Sequence, residues 1–231
     1  MSVHFFHGDK GGVGKSLVAQ SFVDWLLTRN ITPLVVDSDM RNPDLSRMFP
    51  DVAVTVDLRQ HVGWIDLLSQ LHENKGKQIV VSLPAGIGAE VTAELPFFFT
   101  NLYKLKRQAT LLWILARTPD SINLLRPATA AFDGHARAKV ALKNLFFGDP
   151  DKFGRWNESK TRTAFEDAGG IVVEFPELLD RLVDQTSTAN PPVPFSAKLD
   201  GLRFGDRAEL RHWLDKVATL WNGLAEKLGV P

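Results

Sequence analysis

A chain of 231 residues is long enough to bury a full core and suits a single α/β domain over residues 1–231. Lysine plus arginine and aspartate plus glutamate both total 27, so no bulk field of either sign draws it to nucleic acid or membrane; contact with non-specific DNA needs a local patch. The absence of cysteine excludes disulfides, thiolate metal sites and cysteine nucleophiles. No apolar run approaches the roughly 20 residues that span a bilayer, and residues 1–7 run directly into a strand without the regions of a secretion signal. A cytoplasmic protein that does not insert into membranes is the expectation.

In chain order, residues 3–6 read as a short apolar strand, 8–16 (GDKGGVGKS) as a glycine-rich loop, and 15–28 as a helix with Val18, Phe22, Trp25 and Leu26 on one face. Asn30 and Pro33 punctuate a turn before the strand at 34–36, which ends in Asp37-Ser38-Asp39. Further strands are expected at 79–83, 110–116, 140–147 and 170–175, with a helical segment from about 120 to 132. Strands alternating with helices imply right-handed crossovers, so the expected fold is α/β: a doubly wound, mainly parallel sheet with helices on both faces. Residues 186–197, with Pro191, Pro192 and Pro194, read as an extended loop. The segment 206–228 reads as a closing amphipathic helix.

Phosphate binding needs inward-pointing backbone N–H groups, a helix N-terminus, a cation and a metal-holding hydroxyl. Gly11, Gly12, Gly14, Lys15 and Ser16 supply these at the required spacing, with the backbone of Asp9, Val13 and Leu17 completing the cradle. Lys15 is placed to reach the β- and γ-phosphates of ATP, or the β-phosphate of ADP, and Ser16 to hold Mg²⁺. The strict pattern G-x-x-x-x-G-K-[ST] wants glycine at position 9; Asp9 stands there, with Gly8 one residue earlier.

With a lysine ahead of the two glycines, KGGVGKS closely resembles the deviant Walker A loop of the ParA/MinD ATPases. The resemblance implies an ATP-dependent homodimer in which Lys10 reaches the partner's phosphates; a solvated loop lysine is the alternative. Asp37-Ser38-Asp39 resembles that family's second strand and switch I, which makes Asp39 the residue that orients attacking water and lies near Mg²⁺, and Asp37 an accessory acid. Local turn formation and helix capping compete for both. In the stretch matching the family's Walker B strand and switch II, Ser82 stands where the acid is expected. A hydroxyl supplies no charge to the metal's surroundings, so ATP hydrolysis is expected to be slow or partner-stimulated.

By the same resemblance, Asn144 sits where adenine is read, with turn formation before Gly148-Asp149-Pro150 as the alternative, and Pro176 matches a base-flanking loop. Residues 144–176 look like the branch that contains TraL- and StbB-type proteins of conjugative and mobilisable plasmids, which implies a protein partner and a role in plasmid partition, stability or transfer. An ATP-dependent metabolic ligase or small-molecule kinase, or a pseudo-ATPase that holds nucleotide permanently, would use the same scaffold. The aromatic run at 95–99 with Tyr103, Lys104, Lys106 and Arg107 is read as core or dimer packing rather than a partner surface. The last helix is read as packed on the sheet, its charges being balanced. His4 and His7 are read as structural.

Overall fold

The computed structural model describes residues 1–8, 10–187 and 192–231. Among them, seven strands form one all-parallel sheet in the order β3-β2-β4-β1-β5-β6-β7. The chain begins with β1 (Ser2–His7), passes through α1 (Lys15–Thr28) to β2 (Leu34–Asp37), and reaches the edge strand β3 (Ala53–Thr55) by way of α2 (Asp44–Met48). It returns through α3 (His61–Glu73) to β4 (Ile79–Ser82), between β2 and β1, and α4 (Gly88–Lys104) then carries it over β1 to β5 (Gln108–Leu115). The short helices α5 (Pro119–Asn123) and α6 (Leu125–Phe132) lead to β6 (Ala136–Asn144); α7 (Gly154–Asn157) and α8 (Lys160–Asp167) lead to β7 (Ile171–Phe175). The chain closes with α9 (Asp180–Ser187), α10 (Phe195–Lys198) and α11 (Phe204–Leu228).

Side chains alternate across the strands, and both faces are buried. Phe6, Val35, Val80 and Leu112 pack with Phe22 of α1 and Trp221 of α11, whereas Phe5, Val36, Val81 and Leu111 pack with Trp64 of α3 and Phe98 of α4. The helices that follow β1 and β4 therefore leave the sheet on opposite faces. That divergence opens a crevice at the carboxyl ends of the two strands, where α/β sheets bind ligands.

The last helix packs as its sequence suggests. Leu210, Trp213, Val217, Trp221, Leu224 and Leu228 form its buried stripe, and Trp221 meets Phe22 edge-on at 4.9 Å. The Nε1–H of Trp213 donates to the carbonyl of Pro176 at 3.0 Å, fixing the loop after β7. No helix among the described residues is long and apolar enough to cross a membrane.

Several boundaries differ from the expectation. The strand expected at 140–147 runs from Ala136 to Asn144, because the Asn144 side chain accepts the Phe146 N–H at 3.2 Å and turns Leu145–Phe147 into a single 3₁₀ turn. Of the loop expected at 186–197, both ends are helical. Thr186 still belongs to α9, where its hydroxyl donates to the carbonyls of Leu182 and Val183, and Phe195 and Ser196 open α10; residues 188–191 lie outside the described residues. The closing helix starts at Phe204 rather than 206. Of the aromatic run, Leu95, Phe98 and Phe99 are core, while Tyr103 is exposed. Arg107 is also structural: its guanidinium donates to the carbonyls of Lys77 and Asn74.

His4 lies wholly inside, with Nδ1 2.9 Å from the Thr110 hydroxyl and Nε2 3.1 Å from Oε1 of Gln78. Burial lowers its pKa from 6.5 to about 4, against the raising effect of the Gln78 hydrogen bond. The unfolded chain then binds a proton that the folded one refuses between those two values. Stability is therefore full above pH 6.5 and falls as the pH drops towards 4, by about 3 kcal/mol in all. Denaturant unfolding at pH 7 and pH 4.5 checks this: the wild-type chain should lose about 2 kcal/mol more than His4→Gln between the two. Equal losses would assign the acid sensitivity elsewhere.

Candidate functional site

The crevice is a cavity of about 940 Å³. Its floor is the loop between β1 and α1, with Gly12 and Gly14 in left-handed conformations at φ 76° and 91°. Among the described residues, nothing lies within 4 Å of the positions where a Cβ would stand on Gly11 and Gly12. Gly14 is instead pressed from behind: Nδ2 of Asn144, at the end of β6, donates to the Val13 carbonyl at 2.9 Å, and a Cβ on Gly14 would lie 2.4 Å from that nitrogen. Only glycine combines that φ with that approach. The loop delivers the N-terminus of α1 to the cavity with, among the described residues, no side chain capping it and no acid in its first turn. A 14-residue helix presented in this way offers backbone N–H groups and a positive dipole end to an anion.

Lys15 and Ser16 line the cavity beside these N–H groups. Nζ of Lys15 donates to the carbonyl of Lys10 at 3.1 Å, which folds its chain back along the loop. Leu17 lines the same wall, and Val13 is buried beneath it. Asp9 lies outside the described residues.

Across from the loop stand the carboxyl ends of β2 and β4. Asp37 is 1 % exposed; its Oδ1 accepts the Asp39 N–H at 3.2 Å, and its Oδ2 accepts those of Leu45 and Ser46 at 3.0 and 3.1 Å. Burial raises its pKa, and the three N–H groups oppose the rise. Asp37 thus ties the start of α2 to the end of β2, as the capping alternative anticipated. Asp39 is more open, and its Oδ1 accepts the N–H groups of Arg41 and Asn42, each at 3.1 Å. Ser82 pairs in register with both Asp37 and Phe6, so it lies between the acid strand and the strand that feeds the loop. Its carbonyl accepts the Ser38 N–H at 3.1 Å and the Ser38 hydroxyl at 2.5 Å. Val183, Thr186 and Phe195, from α9 and α10, close the far wall, and Asp24 anchors α10 to α1 by accepting the Ser196 N–H and hydroxyl at 2.8 and 2.6 Å.

The structure thus gathers Gly11, Gly12, Gly14, Lys15, Ser16, Asp39 and Ser82 at one cavity, with Asn144 as a brace under the loop. Both ends of the Asn144 amide are engaged within the protein, and Pro176 lies beyond, held by Trp213. Lys10 stands apart: its Nζ is 2.7 Å from Oδ2 of Asp120 on α5, with both side chains about half exposed. That hydrogen bond, and then the charge of Asp120, raise the lysine pKa and keep it cationic. Asp120 was not found from sequence, since nothing local marks an acid 110 positions away as the partner of a loop lysine. Chemically, the arrangement offers backbone N–H groups and a cation to an anion, and a hydroxyl and a carboxylate to a divalent metal.

No protein-family model matches the chain. Over 226 residues it is 33 % identical to "Protein MobD" of Acidithiobacillus ferrooxidans, an alignment covering 96 % of this chain and 97 % of that relative. By kinship of that extent the chain belongs to the MobD family.

Proposed function

We propose that the chain is an ATP-binding, nucleotide-switched protein of the ParA/MinD class: it dimerises on binding ATP, hydrolyses it slowly or under stimulation by a protein partner, and serves plasmid mobilisation, partition or stability. The observation that carries this reading is the N-terminus of α1, uncapped among the described residues and presented with Lys15 and Ser16 to a cavity of 940 Å³ that Asp39 also faces. Lys15 would bind the β- and γ-phosphates, Ser16 and Asp39 would hold Mg²⁺ directly or through water, and Asp39 would position the attacking water. Bound Mg²⁺ would neutralise charge developing on the transferred phosphoryl group. Lys10 is exposed enough to exchange Asp120 for the triphosphate of a second copy. Kinship with MobD agrees with the plasmid-transfer branch that the sequence resembles.

Ser82 bears on turnover. Its uncharged side chain, 5 % exposed beside Asp37, leaves the site with one fewer carboxylate than the family pattern carries, so binding is favoured over hydrolysis. Calorimetric titration with Mg-ATP should show saturable binding to the wild-type chain, weakened about a hundredfold (about 2.7 kcal/mol) in Lys15→Ala. Single-turnover hydrolysis by the pure chain should proceed on the order of 10⁻³ s⁻¹ or slower. Unchanged affinity in Lys15→Ala would remove the phosphate-loop assignment; rapid unassisted hydrolysis would remove the role given to Ser82.

A further inference from the structure

A second cavity, of about 380 Å³, opens beyond the carboxyl ends of β5 and β6, beside α5 and α7. Its apolar lining comes from Ile122, Phe147, Phe153 and Trp156. Arg117, Lys152 and Arg155 also line it, and among the described residues no carboxylate does. In a chain whose charges balance at 27 to 27, three cations around one void are a local construction rather than a reflection of general basicity. Their existing partners are weak or lacking. Arg117 donates to the Phe147 carbonyl at 3.2 Å, Lys152 is 3.3 Å from an exposed Asp151, and Arg155 makes no ion pair among the described residues.

A second observation concerns Trp156, which is 1 % exposed. Trp156 is one of the residues lining the cavity, yet its buried Nε1–H has no hydrogen-bond acceptor among the described residues. Buried indole donors ordinarily find one, as those of Trp64, Trp113 and Trp213 do here. Beside the cavity stands Phe146, 48 % exposed and set edge-on to Phe147 at 5.3 Å. An exposed aromatic beside arginines over a small apolar pocket is the composition of a protein-interface anchor site.

We propose that this cavity receives an acidic, apolar segment of a protein partner, its carboxylate set among Arg117, Lys152 and Arg155, a carbonyl or carboxylate oxygen accepting the Trp156 Nε1–H, and its neighbouring aliphatic side chain against Ile122 and Phe153. A free inorganic anion would leave the apolar floor without contacts. A nucleic acid would need cations spread along a track, whereas these converge on one small void. The site also adjoins the lysine described above. Ile122 in its wall is two residues from Asp120 on α5, so an occupant that shifts α5 also shifts the Asp120–Lys10 pair. That link, unlike the binding itself, rests on the dimer role proposed for Lys10.

The test is a ¹⁵N–¹H spectrum of the indole region of the whole chain without nucleotide, the Trp156 signal being assigned from Trp156→Phe. The probe is an acetylated, amidated pentapeptide alternating leucine and aspartate. It should move the Trp156 indole signal saturably, and the same peptide with asparagine for aspartate should bind about tenfold more weakly or worse. An Arg117→Ala/Arg155→Ala double variant should weaken the aspartate peptide to a similar degree. The asparagine peptide on the wild-type chain keeps the test valid if that variant does not fold. The proposal is overturned if neither peptide moves the Trp156 signal, if both bind equally, or if inorganic phosphate or a single-stranded oligonucleotide displaces the aspartate peptide. Because nucleotide is absent, failure of the ATP assignment leaves the result intact.

Discussion

Gly14→Ala is expected to lower stability by about 3 kcal/mol and to loosen the loop between β1 and α1. Two costs combine. An alanine at φ 91° is in a left-handed conformation that costs about 1–2 kcal/mol. Its Cβ would also stand 2.4 Å from Nδ2 of Asn144, so either the amide or the loop must move. If Asn144 moves, the bond to the Val13 carbonyl and the turn after β6 go with it. Forcing atoms into a packed site typically costs a further 1–3 kcal/mol, or about 2. Gly12→Ala separates the two costs, since its φ is 76° but none of the described residues crowds the added carbon, and about 1 kcal/mol is expected. Denaturant midpoints measured on both variants decide this, and equal losses would show that the Asn144 brace carries no weight.

Asp37→Ala should cost a similar amount, about 3 kcal/mol, because it strands the N–H groups of Asp39, Leu45 and Ser46 at about 1 kcal/mol each. Burial already disfavours the ionised carboxylate, so its place in the structure depends on those three donors. Asp37→Asn should fall between, since the amide keeps one acceptor oxygen but turns an N–H₂ towards backbone donors. Unfolding free energies on the three proteins check the order. A loss below about 1 kcal/mol in Asp37→Ala would mean that water replaces the carboxylate, and that its burial serves something other than holding α2.

Where sequence and structure agree, the signal is contiguous. The first strand, the glycine loop and α1 are adjacent in the chain, so apolar pattern and glycine spacing reveal them together. The six buried positions of α11 recur at helical spacing over 25 residues, which is long enough to be unambiguous. The edge strand β3 has three residues, too few for a period to register. Leu145–Phe147 is as apolar as a strand but is folded by a side chain that precedes it, and hydrophobicity alone does not report that bond. The features that join distant parts were out of reach for the same reason. Asn144 meets Val13 across 131 positions, Lys10 meets Asp120 across 110, and Arg117 joins Lys152 and Arg155 near Trp156 only once β5 and β6 lie side by side.

Sedimentation or size-exclusion measurements in the presence of Mg-ADP and of Mg-ATP test the central claim, a phosphate loop that links ATP to assembly, most directly. The wild-type chain should be monomeric with ADP and dimeric with ATP, and Lys10→Ala should bind ATP yet stay monomeric with either nucleotide. A wild-type chain that binds Mg-ATP and remains a monomer, or a Lys10→Ala dimer indistinguishable from wild type, would contradict it.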